Sequence, residues 1–412
     1  MFLLGHMLKR FIQVGRLTVI DAHGRKHLFA GAPGPHVAFR ITNPALHRRL
    51  FFNPDLALGE GYMNGEIQFE EGTLYDFLEL FNLNKLSLDG YPLQSVLRRV
   101  SKALRFIAQH NPVGKSQKNV AHHYDLSAEL YSLFLDPDQQ YSCAYFQDPS
   151  DTIEAAQIHK KRHIAAKLLL RPGQRVLDIG CGWGGMALAL AQLEDVHVTG
   201  VTLSVEQHQI ATARAAKLGL DHRVKFELRD YRELERTRRF ERIVSVGMFE
   251  HVGVTHYDEF FTKVKGLLTD DGVMLLHSIG RMSVPGRTGP WIRKYIFPGG
   301  YTPSLSEVFP ATERQRLWVT DVEILRLHYA ETLKCWAVKF AENRERIRAI
   351  YDERFCRMFE FYLACAEMVF RHGSGMVFQM QLAKDRNTVP QTRDYLFDAE
   401  REMGRVRVAK AA

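Results

Sequence analysis

The sequence VLDIGCGWGG, residues 176–185, decides the fold of this chain. Its apolar start predicts a short buried strand, and the glycines that follow predict a tight turn into a helix. Glycine also lets the backbone approach a ligand that any Cβ would hold away. The stretch therefore predicts a strand, a ligand-binding loop and a helix in succession.

Strand and helix patterns alternate around this loop. Short apolar runs predict strands at 175–179, 197–202, 224–228, 242–246 and 273–278. The segments between them have the composition of helices, and such alternation indicates a parallel sheet with helices on both faces. We therefore predict a doubly wound, Rossmann-like α/β sheet. A small α+β domain is expected before it, with strands near 15–21, 26–30 and 37–42.

The spacing of the glycines distinguishes between classes of nucleotide site. GxGxG differs from the GxGxxG that holds a dinucleotide pyrophosphate, and it does not match a Walker loop. It is typical of class I methyltransferases, in which this loop holds the amino-acid part of S-adenosyl-methionine. The alternative is a tight turn without a ligand. We predict S-adenosyl-methionine binding at Asp178, Gly180, Gly182 and Gly184.

The next two strand ends provide further candidate cofactor contacts. Ser204 and Gln207 have the spacing of a capping box and are expected to start a helix. Most methyltransferases of this class have an acidic residue here for the ribose hydroxyls; this chain has none, so we expect Thr202 and Gln207 to replace it. Asp230 is a candidate acceptor for the adenine amino group, or alternatively a turn or helix cap.

Length and charge favour two domains and an anionic partner. The chain has 412 residues and a formal net charge of +8, and residues 1–120 contain 15 basic and nine acidic side chains. Residues 93–107 place apolar side chains at helical spacing, with Arg98, Arg99 and Lys102 on the other side. This basic amphipathic segment either docks on an anionic membrane surface or packs between domains. The diffuse basic excess, without a recognised motif, argues against nucleic acid.

Hydropathy and cysteine spacing limit the location of the chain. No stretch is apolar over the length that spans a bilayer, and residues 1–13 lack the pattern of a signal peptide. The five cysteines form neither a CxxC pair nor a scaffold spacing, which argues against a zinc site and against a disulfide framework. We predict a cytoplasmic protein with reduced thiols that is peripheral to the inner face of the membrane.

A set of motifs resembles the cyclopropane-fatty-acyl-phospholipid synthases and their mycolic-acid-modifying relatives. The set consists of the glycine loop, NVAHHYD at 119–125, QYSCAYF at 140–146, TLSVEQ at 202–207 and VSVGMFEHVG at 244–253. The resemblance extends through LLHSIG at 275–280 and covers most of the chain. The leading domain fits the phospholipid-acting members, because the shorter mycolic-acid enzymes lack it.

The resemblance and the changes in composition together divide the chain into four parts. Residues 1–92 are expected to form a small lipid-associated domain, and 93–118 a basic helical linker. The catalytic domain is expected over 119–397, followed by a basic tail at 398–412. The family also makes a homodimer an expectation.

The chemistry that the resemblance implies is the attack of an alkene on the methyl group of S-adenosyl-methionine, followed by removal of a proton from the resulting carbocation. In the family the proton acceptor is a bound bicarbonate. The matching residues are the side chains of Glu250, His277 and Tyr329 and the backbone of Cys143 and Ile279. Tyr329 and a protonated His277 can donate to the anion, and Glu250 can accept its hydroxyl or orient His277. Cys143 is accordingly not expected to be a nucleophile.

The resemblance also adds Tyr141 and Ser142 to the cofactor contacts. Aromatic faces can stabilise a carbocation, and the candidates are Tyr141, Trp183, Phe249 and Tyr295. The irregular segment 280–307 is rich in proline, glycine and aromatic residues, and we interpret it as a cover over an acyl channel; the alternative is a surface excursion without a ligand.

The expected reaction is transfer of a methylene from S-adenosyl-methionine to a cis double bond of an unsaturated phospholipid acyl chain. The first alternative is a methyl-branching or methylene-forming enzyme of the same family. The others are a small-amine methyltransferase of the same fold and a lipid-binding module that has lost catalysis. The glycine loop and Glu250 argue against the last of these.

Overall fold

The computed structural model describes residues 1–85, 127–235 and 237–411, with side chains as far as 404. Within these ranges the chain divides into two compact units. The first contains residues 1–85, Gly286–Pro298 and Leu333–Ser374; the second contains 127–285, Gly299–Thr332 and 375–411. Two segments from the stretch 119–397 thus belong to the unit that contains the amino-terminal residues. The basic segment 93–107, the rest of the linker 93–118 and the motif at 119–125 lie outside the described residues.

The described chain forms eleven strands and fifteen α-helices. The strands are β1 (Val14–Ile20), β2 (Lys26–Ala30), β3 (Ala32–Ile41), β4 (Ile67–Glu71), β5 (Arg175–Ile179), β6 (His197–Thr202), β7 (Val224–Leu228), β8 (Phe240–Val246), β9 (Leu268–Arg281), β10 (Trp318–Ile324) and β11 (Gly375–Ala383). The helices are α1 (Phe2–Phe11), α2 (Pro44–Phe52), α3 (Pro54–Met63), α4 (Leu74–Asn84), α5 (Ala128–Phe134), α6 (Ile153–Leu168), α7 (Gly185–Leu193), α8 (Val205–Lys217), α9 (Tyr257–Leu267), α10 (Pro290–Tyr295), α11 (Leu305–Arg314), α12 (His328–Glu342), α13 (Arg344–Ile350), α14 (Glu353–Arg371) and α15 (Asp394–Ala411).

The first unit contains a four-stranded sheet in the order β2–β1–β3–β4, which confirms the predicted small α+β region. Strands β1 and β3 are parallel, whereas β2 and β4 pair antiparallel with their neighbours. Thr73 starts α4 with a complete capping box. At the other end of α4, the buried Asn84 accepts hydrogen bonds from the amides of Gln13 and Val14 and so ties the helix to β1.

Segment 286–298 packs within the first unit. Trp291 of α10 is buried, and its indole N–H lies 3.2 Å from the sulfur of Met63 in α3. Gly59 makes room for this ring, since a Cβ there would lie 2.4 Å from the indole. The Tyr295 hydroxyl and the Lys294 ammonium both donate to Glu60, at 2.8 and 2.7 Å. Charged and apolar contacts therefore both attach this segment to α3.

The second unit contains a seven-stranded sheet in the order β10–β11–β9–β8–β5–β6–β7. Strands β9, β8, β5, β6 and β7 are parallel, as predicted, while β11 pairs antiparallel with β9 and β10. Four of the parallel strands end at Ile179, Thr202, Leu228 and Val246. Because parallel strands end at the same edge of a sheet, this arrangement assembles one site from four separate turns.

Burial fits a sheet covered on both faces. Leu177, Ile243 and Met274 are fully buried, and Phe260 and Phe261 of α9 belong to the same apolar core. The residues predicted as a basic tail form the later part of α15, beginning within the helix at Asp398. None of the helices in the described ranges is long and apolar enough to cross a bilayer.

Candidate active site

The loop between β5 and α7 runs through three left-handed backbone positions. Gly180, Gly182 and Gly184 have φ angles of 82°, 53° and 83°. The amides of Gly180 and Cys181 both donate to the carbonyl of Val201 at 3.0 Å, which joins the loop to the end of β6. Glycine adopts such angles without the strain that a side chain would bring.

The three glycines differ in what surrounds them. A Cβ at Gly180 would lie 2.7 Å from Met248, and one at Gly184 would lie 2.7 Å from the ring of Phe226. At Gly182 it would meet no atom within 4 Å, because this residue faces an open pocket. Gly182 therefore keeps space for a ligand, whereas Gly184 serves the turn and the packing of α7.

The pocket lies at the carboxyl ends of β5, β6, β7 and β8. Most of the predicted cofactor residues line it: Tyr141, Ser142, Asp178, Gly180, Gly182, Thr202, Gln207 and Asp230. Gly184 is the exception, since it lies behind the loop against Phe226 and Ala211. Two lining residues that the sequence did not single out for the cofactor are Met248 and His251.

Asp178 fits a ligand that carries a positive charge. It is buried at the end of β5, and its Oδ2 has no hydrogen-bond partner among the described residues. Burial raises the pKa of this carboxyl to about 7. A buried carboxylate oxygen normally has a donor, and the ammonium of the methionine part of S-adenosyl-methionine would supply one. Together with the space at Gly182, this matches the cofactor that the sequence predicts.

The predicted ribose and adenine contacts also line the pocket. The Thr202 hydroxyl donates to Oε1 of Gln207 at 2.9 Å, so the amide NH₂ of Gln207 is the group that can donate to a ribose oxygen. Ser204 caps α8 by accepting from the amide of Gln207, as predicted. Asp230 caps the turn at Tyr231–Glu233 and pairs with Arg232 at 2.7 Å, so the capping alternative is observed alongside its place in the pocket wall.

The segment 139–142 closes one side of the pocket, and α6 holds it in place. Gln157 donates to the carbonyls of Gln140 and Ser142, at 3.3 and 3.0 Å. One turn further along α6, Lys160 donates to Oε1 of Gln140 at 2.7 Å and to the Ser142 hydroxyl at 2.8 Å. Lys160 is fully buried, and burial lowers the pKa of its ammonium to about 7.

Glu250 and Ile279 are joined by a hydrogen bond. The amide of Ile279 donates to Oε1 of Glu250 at 2.6 Å, while Oε2 is buried with no partner among the described residues. Burial raises the pKa of Glu250 to about 7. The Ile279 amide predicted to hold bicarbonate is thus engaged by Glu250, which leaves the second carboxyl oxygen as the group that can meet a small ligand.

His277 lies on β9, directly opposite Gln379 of β11. It is buried, and its pKa is far below the ordinary value because of burial and the positive charges of Lys160, Lys167 and His163. These surroundings therefore favour the neutral imidazole over the protonated form that was considered as a donor to the anion. A neutral imidazole still donates one hydrogen bond.

The residues that follow Cys143 are hydrogen-bonded to the helix that carries Tyr329. The amide of Ala144 donates to the Thr332 hydroxyl at 3.0 Å, and the amide of Phe146 donates to Nδ1 of His328 at 3.1 Å. Both acceptors are on α12, which also carries the buried Tyr329. Burial raises the pKa of the Cys143 thiol, so the side chain stays protonated, as expected for a residue that is not a nucleophile.

Lys160 connects the two predicted groups of residues. Its charge acts on Asp178 in the cofactor pocket and on both Cys143 and His277 in the predicted anion site. The sequence analysis did not single it out, although Gln157, Lys160, His163 and Lys167 recur at helical spacing on α6. That spacing is the available signal, but a polar face on a helix is usually solvated, and only the structure shows that this one is buried.

The aromatic candidates have different surroundings. Tyr141 and Trp183 line the pocket, and both rings contact Tyr131, at centroid distances of 5.4 and 4.9 Å. Phe249 is fully buried and stacks on Tyr257. Tyr295 belongs to the first unit. Only the first two are therefore placed beside the cofactor pocket.

Comparison with known proteins identifies the family of the chain. The family model described as "Mycolic acid cyclopropane synthetase" matches residues 113–380. Over 349 residues, the chain is 39% identical to a cyclopropane-fatty-acyl-phospholipid synthase of Escherichia coli (strain K12), which covers 84% of this chain and 87% of the relative. A tuberculostearic acid methyltransferase of Mycobacterium tuberculosis is 35% identical over 356 residues, 83% of this chain and 82% of the relative.

A solved structure shares the fold. Mycolic acid cyclopropane synthase CmaA1, complexed with SAH and CTAB, superimposes with a TM-score of 0.62 and 35% identity, over 66% of this chain and 99% of that chain. The range that the family model matches, residues 113–380, contains the residues that line the cofactor pocket and both groups of buried polar residues. The chain therefore belongs to the mycolic acid cyclopropane synthetase family and is an S-adenosyl-methionine-dependent methyltransferase.

Proposed function

We propose that this enzyme transfers a methylene group from S-adenosyl-methionine to the cis double bond of an unsaturated fatty-acyl chain in a phospholipid. The observation that carries the proposal is the buried Glu250, whose Oε2 has no hydrogen-bond partner within the described part of the chain and which belongs to the same unit as the cofactor pocket. The E. coli relative, named for this reaction, supports the phospholipid substrate because its similarity extends over 84% of the chain, beyond the extent of the family model.

The proposed reaction needs no nucleophile from the protein. S-adenosyl-methionine supplies an electrophilic methyl group, which the π electrons of the acyl double bond attack. One new carbon–carbon bond forms, the carbon–sulfur bond breaks, and the positive charge moves to the other alkene carbon. Loss of a proton from the added methyl group then closes the ring, so the acyl chain gains CH₂ in total. The protein must exclude water from the cation and hold a base.

We propose that a bicarbonate bound by Glu250, His277, Tyr329 and the backbone of Cys143 is that base. Burial holds the pKa of His277 far below its ordinary value, so its imidazole is a weak proton acceptor, and burial keeps the Cys143 thiol protonated, so it is not a thiolate base. The buried Lys160 supports an anion here, since its charge acts on both Cys143 and His277. Ile279 contributes by fixing Glu250 through its amide.

The alternative within the family is a methyl-branched or methylene-bearing product from the same cation. The 35% identity to a tuberculostearic acid methyltransferase supports this alternative, because that relative is named as a methyltransferase and not as a cyclopropane synthase. A methyl branch requires a hydride donor to quench the cation, whereas ring closure and methylene formation require only a base. A bicarbonate held by Glu250, His277 and Tyr329 would supply that base, so the proposed anion site favours proton loss over quenching by hydride.

We further propose that the enzyme works at the surface of the cytoplasmic membrane, where its phospholipid substrate is found. The net charge of +8 suits an anionic surface. Homodimer formation and the docking role of residues 93–107 stay predictions.

Segment 280–307 is proposed to cover the acyl chain. In its middle part Trp291 is buried, and Tyr295 is bonded to Glu60, so the segment is an ordered element. Replacing Tyr295 or Phe297 by alanine is expected to change acyl selectivity or turnover. Unchanged selectivity and turnover would support the alternative of a surface excursion.

The direct test is incubation of the purified protein with S-adenosyl-methionine and vesicles of cis-unsaturated phospholipid, followed by mass spectrometry and proton NMR of the released acyl chains. Mass alone does not separate a ring from a methylene group, because both add CH₂, whereas ring and vinyl protons resonate apart. Ring signals are expected. Vinylidene or branched signals would reassign the product, and the absence of any acyl product would refute the proposal.

A further inference from the structure

Side chains of the second unit determine which nitrogen of His277 can donate a hydrogen bond. The position of His277 at the reacting centre rests on the proposed function. A chain of buried side chains runs from α6 to this imidazole. Lys167 donates to Oε1 of Gln379 at 2.8 Å, and Nε2 of Gln379 lies 3.2 Å from Nδ1 of His277. Lys167 and Gln379 are fully buried, so solvent does not compete for these bonds.

Donor and acceptor roles along this chain follow from Lys167. An ammonium group only donates, so the atom of Gln379 that faces it must be the carbonyl oxygen. The amide NH₂ of Gln379 therefore faces His277 and donates to Nδ1. A neutral imidazole that accepts at Nδ1 carries its proton on Nε2.

We propose that Gln379, oriented by Lys167, is a positioning residue that holds His277 as the Nε2–H tautomer, so that the imidazole donates to the anion at the reacting centre and does not take the proton itself. Lys167 is in turn held by Glu323, which also accepts from Nε2 of His163 at 2.6 Å. His163 also pairs with Glu400 of α15. The tautomer of His277 thus depends on contacts from α6, β10, β11 and α15.

The charged groups around His277 favour its neutral form. Lys160, His163 and Lys167 face it from α6, and their charges oppose its protonation. The carboxyl of Glu250 accepts a hydrogen bond from the amide of Ile279, which lies two residues after His277 on β9. A substitution of Gln379 therefore changes the hydrogen-bond partner of His277 without removing the charges of Lys160, His163 and Lys167.

The test replaces the donor by an acceptor. In Gln379→Glu an ionised carboxylate accepts from Lys167 and can only accept from His277, which favours a proton on Nδ1 and raises the pKa of the imidazole. Gln381→Glu is the matched control, because Gln381 is equally buried on the same face of β11 but donates to the Lys167 carbonyl and to Tyr395, at 2.6 and 2.9 Å.

The primary measurement is ¹⁵N NMR of the ring nitrogens in protein labelled at histidine, with the His277 signals assigned by their loss in His277→Asn. Wild-type protein and Gln381→Glu are expected to show Nε2 protonated and Nδ1 free of a proton. Gln379→Glu is expected to show a protonated Nδ1. A wild-type signal with the proton on Nδ1 would overturn the inference, and this measurement does not depend on activity.

The second measurement is turnover against pH and bicarbonate concentration. Gln379→Glu is expected to lose about tenfold or more in turnover, with a pH profile displaced from that of Gln381→Glu, since a wrong tautomer misdirects the donor. Gln379→Met, which cannot donate, should lose turnover without acquiring the new pH dependence. Identical profiles for the two glutamate variants would overturn the inference. If the wild-type enzyme forms no acyl product, the proposed function fails, and the NMR result still decides the tautomer.

Discussion

The ionised form of Glu250 destabilises the folded protein, although the residue belongs to the proposed anion site. Its pKa is raised to about 7 by burial, so the stability it contributes is present at low pH and is lost as the pH rises toward and above 7. Glu250→Gln keeps the acceptor for the Ile279 amide. We expect this variant to melt at a higher temperature than wild type above pH 7 but not at acidic pH, while losing product formation. Calorimetric titration should show nearly unchanged affinity for S-adenosyl-methionine; a loss of that affinity would move Glu250 to the cofactor site.

The buried ammonium group of Lys160 is expected to affect both stability and product formation. Burial lowers the pKa of its ammonium to about 7, which shows that keeping the charge buried is costly. Lys160→Met removes that cost but also the bonds to Gln140 and Ser142, so we expect a melting temperature close to that of wild type, together with weaker product formation and a higher requirement for bicarbonate. Lys161→Met is the control, because the neighbouring Lys161 pairs with Asp138 at 2.6 Å. Equal losses in both variants would argue against a specific role for Lys160.

Residues differ in how far the sequence alone identified them. Asp178 and Gly182 were predicted, because a glycine loop after a buried strand has few other uses. Lys160 and Gln379 were missed, because polar residues within a helix or strand are ordinarily solvated and their burial depends on the whole sheet. The surroundings that favour a neutral His277 were not anticipated for the same reason, since the cations that lower its pKa come from a helix more than a hundred residues earlier in the chain.

In the parallel sheet, β5, β6 and β7 were predicted to the residue and β8 to within two residues, but β9 extends beyond the predicted 273–278 at both ends, and β10 and β11 were not predicted at all. Strands β5, β6 and β7 have continuous apolar runs bounded by turns, which is a strong local signal. In β11 the apolar run is interrupted by Gln379 and Gln381, and β10 is half-buried after its exposed first residue, Trp318. Their pairing with β9 is a long-range property that periodicity does not encode.

The contact between α3 and α10 gives a prediction at the element scale. Gly59→Ala places a Cβ 2.4 Å from the Trp291 ring, so the ring must move. Alanine favours a helix interior by about 1 kcal/mol over glycine, and a fall in melting temperature would therefore report the lost packing. We expect that fall, with a shift in tryptophan fluorescence.

Gly266 of α9 provides the control for this substitution. A Cβ there meets no atom within 4 Å, so Gly266→Ala is expected to be neutral or stabilising. If Gly59→Ala behaves like Gly266→Ala, then α10 is not held against α3 in the way described.

At the scale of the whole molecule, the basic excess predicts salt-dependent binding to membranes. Neutralising Arg98, Arg99 and Lys102 should weaken binding to vesicles that contain anionic lipid. Binding of the wild-type protein should also decrease as salt rises past about 0.1 M, where charges at a surface are screened. Vesicle sedimentation measures both effects, and binding that does not respond to salt would contradict the docking role.

A matched control separates docking from a simple change in net charge. Lys217, Lys225 and Arg346 are exposed in the described part of the chain, and replacing all three by glutamine changes the net charge by the same amount. This variant should bind vesicles almost as wild type does. Equal weakening by both triple variants would show that net charge alone governs binding.

In the proposed reaction a base removes a proton from the methyl group delivered to an acyl double bond. The decisive measurement supplies S-adenosyl-methionine with a fully deuterated transferred methyl group together with cis-unsaturated phospholipid vesicles. We expect an acyl chain with a ring carbon that carries two deuterium atoms, the third having gone to the base. A product that retains all three in a methyl branch would contradict it, because the cation would then have been quenched by hydride and not by loss of a proton.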